Sequence, residues 1–242
     1  MSVSLISGNP SPSPDPDGSL RVEDWGLTRY AEALQRQLDR VEARRAGTID
    51  DTLAFTEHHP VYTIGRRRHA RRHLVATADF LRQKGIEVHE TNRGGDITYH
   101  GPGQIVGYLF VDLSLRRDLH QLLRTVEQSL LDTLVELGLE PSLRPEFTGV
   151  WLNHAKVAAI GMGARQWVSF HGFALNLDPC LDHFSGIVPC GITDGTVTSL
   201  SEHLYPTPSA ESLKSLLARV FSKHVQSYQH HGISSTEPTE VA

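Results

Sequence analysis

The chain has 242 residues, 39% hydrophobic and 21% charged, with a formal net charge of −5. That length buries a full core as one large domain or two small ones, and the proportions are those of a globular protein. The negative balance argues against nucleic acid or an anionic membrane surface as partner, and no apolar run approaches the roughly 18 residues of a membrane span.

Residues 1–20, rich in Ser, Pro, Gly and Asp, read as a disordered or loosely ordered segment. They carry no basic-then-apolar export signal, and Asp15 and Asp17 with no arginine before Arg21 do not resemble a transit peptide. Two cysteines, Cys180 and Cys190, make no disulfide framework and fit a reducing compartment, so a cytoplasmic location is expected.

From Trp25 the steps between Leu27, Tyr30, Ala31, Leu34, Leu38 and Val41 predict a helix closed by Gly47. Leu53 and Phe55 alternate as in a strand, and His58 to Gly65 turns into a second extended piece. Arg66, Arg67, Arg68, Arg71 and Arg72 follow, either a solvated loop or a docking patch for an acidic partner. Thr77 caps a helix through Lys84 that Gly85 ends, and Ile86 and Val88 form a strand. Ile105 to Leu113 is an apolar strand. Asp118 caps a long helix with a stripe from Leu119 to Leu137 and Gly138 behind it. After a connection marked by Pro141 and Pro145, residues 149–177 read as a three-stranded meander. Cys180 to Thr198 reads as irregular, and a last helix begins near Ser209. With no internal repeat or linker between them, residues 21–228 are expected to be one catalytic domain, and 229–242 a polar tail.

Arg93 to Gln104 holds four of the 20 glycines in twelve residues, among side chains that hydrogen-bond. An ordinary turn needs one or two glycines, so this stretch, expected as a loop between two strands, reads as a site wall. Elsewhere, Cys190 between Pro189 and Gly191 is either a nucleophile in a fixed turn or a small buried hydrophobe. Lys156 opens the run Val157-Ala158-Ala159-Ile160, either as an inner-face base or thiolate partner, or as a strand-end lysine facing water. His100 and His171 are acid-base candidates or structural histidines. Cys180, His183, Cys190 and His171 match no compact zinc spacing, so no metal is expected, and there is no phosphate-loop or dinucleotide fingerprint.

Several stretches, in order, resemble one family. Arg93-Gly94-Gly95 with Thr98 to Gln104, Thr148 to Trp151, Lys156 to Gly161, His171 to Asn176 and Pro189-Cys190-Gly191 are similar to the motifs of lipoyl(octanoyl) transferases. The resemblance covers roughly residues 25–225 and shows no departure at a motif position. It implies an α/β (α+β) single domain, mixed β-sheets flanked by helices, as in biotin and lipoate protein ligases. It implies transfer of octanoate from octanoyl-acyl carrier protein to a lysine of the lipoyl domains of 2-oxoacid dehydrogenases or of the glycine cleavage H protein. Cys190 would carry the acyl group as a thioester and Lys156 would be its partner, with no cofactor and no ATP. Substrate contacts are implied for Arg93, Gly94, Gly95, Asp96, Ile97, Thr98, Tyr99 and His100, for Ala159, Ile160 and Gly161, and for Gly172, Phe173 and Ala174. His171 and Asn176 would support them. The rival readings are an ATP-dependent lipoate or biotin ligase on the same fold, which needs no Cys190, and a non-catalytic metal- or carrier-binding module.

Overall fold

A computed structural model describes residues 20–145, 147–188 and 196–230. Eight strands form one mixed sheet: β1 (Arg21–Thr28), β2 (Thr52–His58), β6 (Gln104–Phe110), β10 (Val168–Asn176), β9 (Ala155–Arg165), β8 (Phe147–Leu152) and β7 (Pro141–Arg144) lie in that order, and β11 (Thr196–Val197) runs parallel to β9 at Ala155 and Lys156. A second sheet has three strands in the order β4 (Glu87–Glu90), β3 (Val61–Ile64), β5 (Ile97–His100).

Helices cover both faces of the large sheet. On one face α3 (Leu119–Glu136) and α4 (Ala210–His230) bury Leu122, Val126, Leu130 and Leu134 with Leu213, Leu217, Phe221 and Val225 against β6, β9 and β10. These are the stripes expected from sequence. On the other face α1 (Tyr30–Arg45) packs Ala33 and Val41 against Val106, Tyr108, Phe110, Phe170 and Ala174. The small sheet has its own core, to which α2 (Ala78–Lys84) adds Phe80 and Leu81. Thr77 Oγ1 accepts from Phe80 N–H, and Gly85 takes the left-handed cap at φ 62°, as predicted.

Three expectations are corrected. Trp25–Thr28 is not helical: the segment pairs in parallel with β2, from Arg21↔Thr52 to Thr28↔His58, and α1 begins at Tyr30. As an edge strand it turns Glu23 and Trp25 inward while Val22 and Leu27 stay exposed, so hydrophobicity misreports its period. The Arg93–Gln104 stretch is not all loop, because Ile97–His100 forms β5, an edge of the small sheet. The proline-marked connection contains the edge strand β7, which Pro141 opens, and proline is tolerated at the start of an edge strand.

Candidate active site

The stretch from Arg93 to Gln104 leaves the small sheet and enters the large one. Its two ends are stitched to the large sheet by backbone: Gly94 N–H donates to Met162 O (2.8 Å), and Gly103 O accepts from Leu177 N–H (3.1 Å) and Asp178 N–H (2.8 Å). Between these stitches it forms the roof of a cavity of about 140 Å³. The floor is the large sheet, where small residues from adjacent strands face each other: Gly172↔Gly161 and Ala174↔Ala159. Gly161 cannot carry a side chain here, because a Cβ would sit 2.9 Å from Gly94 O and 3.1 Å from Arg93 Cδ.

Lys156 stands at one end of this trough. It is 6% exposed, so it is no strand-end lysine facing water. Its Nζ lies 4.9 Å from the Trp151 ring centroid, a cation–π contact. The space for it comes from Gly149, where a Cβ would lie 2.5 Å from Lys156 Cε. The motif Thr148-Gly149-Val150-Trp151 thus supplies the lysine's channel. Thr198 N–H donates to Lys156 O (3.0 Å), which sets that segment directly beside the lysine. Val188 N–H donates to His73 O (2.8 Å). Cys190, with Pro189 and Gly191, lies outside the described residues.

The roof is held by side chains whose hydrogens can be assigned. Arg93 donates from Nε (3.2 Å) and Nη2 (2.9 Å) to Thr63 Oγ1. That oxygen therefore donates its own hydrogen to His100 Nε2 (3.2 Å). His100 Nδ1–H then donates to Gln104 Oε1 (2.7 Å), and Gln104 Nε2 donates to Tyr99 O (3.2 Å) and Asn176 Oδ1 (2.8 Å). Asn176 Nδ2 donates to Thr198 O (2.8 Å). One chain of bonds thus runs from the roof arginine to the segment beside Lys156. Asp96 Oδ1 accepts from Ile97 N–H and His73 Nδ1 (each 2.7 Å), with Arg67 3.7 Å from Oδ2.

Burial keeps the histidines neutral. It drives His100 well below the ordinary imidazole value, with neighbouring His58 adding to the effect. Burial and then Arg93 push His171 down to about 3. Burial lowers His58 to about 4 against the opposing carbonyl of Thr28. His58 Nδ1 faces that carbonyl at 3.1 Å, so its Nε2 accepts from Tyr108 O–H (2.6 Å). None of the three carries a proton to give as a general acid at neutral pH.

Of the residues singled out in the sequence, Arg93, Gly95, Asp96, Ile97, Thr98, His100, Lys156, Ala159, Ile160, Gly161, His171, Gly172, Phe173, Ala174 and Asn176 line the cavity. Gly94 and Tyr99 do not. Gly94 is the stitch to Met162, and Tyr99 points away from the cavity into the small-sheet core, its O–H 2.8 Å from His183 Nδ1. Among the described residues no group of His, Cys, Asp and Glu could hold a metal, and Cys180 is exposed. Thr148, named from sequence as part of a motif, lines it too, and Tyr30, Tyr108 and Phe147 also line the cavity and were missed from sequence. Tyr108 was within reach, since Gln104, Val106 and Tyr108 recur at period two on one strand and so share a face.

Residues 29–222 match the model of the lipoyl protein ligase A/B catalytic domain. An octanoyltransferase of Rubrobacter xylanophilus is 47% identical over 180 residues, 74% of this chain and 81% of that protein. The octanoyltransferase of Gloeobacter violaceus is 44% identical over 208 residues, 85% and 90% of the two chains. The fold is that of a bipartite lipoate protein ligase from Thermoplasma acidophilum, at a TM-score of 0.67 and 19% identity over 86% of this chain and 84% of the other.

Proposed function

The chain belongs to the lipoyl protein ligase A/B catalytic family, and from that premise we propose that it transfers an octanoyl group from octanoyl-acyl carrier protein to a lysine of a lipoyl domain. The observation that carries this reading is a trough floored by small residues that ends at a buried lysine.

Cys190 is the proposed nucleophile. Its thiolate adds to the thioester carbonyl carbon, the bond to the carrier's sulfur breaks, and the carrier leaves as a thiol with the proton Cys190 gave up. The acceptor lysine's neutral amine then attacks the acyl-enzyme. The amide C–N bond forms, the bond to Cys190 breaks, and the proton shed by nitrogen returns to the cysteine sulfur. Lys156 is assigned the proton in transit: as a cation it stabilises the thiolate, and as an amine it relieves the attacking nitrogen. The histidines, held neutral, are left to position. A thioester donor is already activated, so neither ATP nor a metal or cofactor is needed.

Acceptors are the lipoyl domains of 2-oxoacid dehydrogenases and the glycine cleavage H protein, and the compartment is the cytoplasm. No described helix is long and apolar enough to cross a membrane. The donor's acidic carrier docks on the arginine cluster, where Arg67 reaches the cavity rim and its N–H donates to Gly95 O (3.0 Å). Residues 21–228 act as one catalytic domain.

Purified protein mixed with octanoyl-acyl carrier protein and an apo lipoyl domain should add one octanoyl group to that domain without nucleotide. Transfer that requires ATP would contradict the proposal and favour a ligase. Reversing Arg67 and Arg71 to Glu should raise KM for the carrier substrate several-fold at low salt. An unchanged KM and salt dependence would remove the docking assignment.

A further inference from the structure

The floor strands give the trough a direction. Gln104, Val106 and Tyr108 face it from β6, paired with Asn176, Ala174 and Gly172 of β10. Asn176 marks the end near Lys156, through Thr198. His171, one residue beyond Gly172 and paired with Met162, marks the other. Five residue steps of strand lead from Asn176 to His171, about 16 Å at about 3.3 Å per step.

His171 is built into that end. It is 2% exposed and lines the cavity, and its Nε2 has no hydrogen-bond partner among the described residues. Its backbone is left-handed at φ 59°, a conformation that persists for a non-glycine residue only where its surroundings impose it. Gln37 Oε1 accepts its N–H at 3.0 Å, and its ring lies 4.3 Å from that of Phe170. The imidazole is therefore fixed at that end of the trough.

We propose that His171 sets the acyl chain length, as a fixed stop at the tail end of the trough. This rests on the proposed function, which puts the acyl carbonyl at the Lys156 end and so points the tail at His171. An extended eight-carbon chain spans about 9 Å and a twelve-carbon chain about 14 Å, at roughly 1.25 Å per staggered bond. Only the longer one reaches across the trough to the ring. Its terminal methylenes would have to enter the space the imidazole occupies, and the ring cannot yield because its backbone, Gln37 and Phe170 hold it, so the longer substrate is penalised by overpacking. The octanoyl tail stops short.

The test is the dodecanoyl-to-octanoyl ratio of kcat/KM, with acyl carrier protein as donor, in the wild type, His171→Gly and His171→Asn. Glycine and asparagine both tolerate left-handed backbone and shorten the side chain. The wild type should favour octanoyl at least tenfold. His171→Gly should raise the ratio about tenfold or more, and His171→Asn by less. A purely structural histidine would slow both chains alike, so an unchanged ratio in both variants overturns the proposal. A variant too slow to turn over is read by calorimetry on the folded protein, as the ratio of Kd for octanoate and dodecanoate, with the same criterion. A wild type that transfers neither chain would overturn the octanoyl reading itself.

Discussion

The two walls of the trough are made in opposite ways. The floor is held by backbone: three antiparallel strands in register, with glycine and alanine where β9 and β10 face the ligand space. The roof is stitched by backbone at its two ends and tied between them by a side-chain network whose key bonds reach far along the sequence, from Arg93 to Thr63 and from Gln104 to Asn176. The floor supplies shape and the lysine. The roof supplies fixed polar groups. Shape survives loss of a single side chain, whereas a side-chain network leaves several buried groups unpaired when one member goes.

The largest effect should follow from the lysine at the floor's end. Lys156→Met keeps the stem and removes the charge, and should lower kcat/KM about 10³-fold with little change in melting temperature. A loss below tenfold would mean that the floor contributes shape alone. Next, Gln104→Leu strands His100 Nδ1–H, Tyr99 O and Asn176 Oδ1. It should cost at least about 3 kcal/mol in denaturant unfolding, and a cost under 1 kcal/mol would show that the roof is not held by its network.

Acid should act on the histidines in the same order of size. His58 and His171 titrate at about 4 and about 3 when folded, against 6.5 unfolded. The unfolded chain therefore binds more protons below pH 6.5. Their contribution to stability is complete above that value and is lost as pH falls toward 4 and then 3. At pH 5 the loss is on the order of 2 kcal/mol for each. Unfolding curves at pH 7.5 and 5 that superimpose would contradict the neutral, buried assignment. The smallest effect belongs to the contact between the walls: Gly161→Val pushes against Gly94 O, lifts the roof and should raise the octanoyl KM about tenfold.

That difference also explains what could be read from the sequence. Helices α2, α3 and α4 and the β8–β10 meander were legible because caps, stripes and alternation are local. So was the floor, whose glycines and alanines fall in recognisable motifs. The roof stretch was visible as a site wall, but its construction was not, because nothing near Arg93 announces Thr63 as its partner. In α1 the buried face is Tyr30, Ala33, Gln37 and Val41, not the face of Leu34 and Leu38. Gln37 is inward because its Oε1 holds His171, 134 residues away, and periodicity cannot see such a bond. The strand β1 was misread for the same reason, since its parallel partner β2 decides which side faces in.

The central claim is a covalent one, that the octanoyl group rests on Cys190 between donor and acceptor. Intact mass of the protein after brief exposure to octanoyl-acyl carrier protein should show a single octanoyl adduct, discharged on adding an apo lipoyl domain and absent in Cys190→Ala. A Cys190→Ala protein that still transfers octanoate would contradict the account.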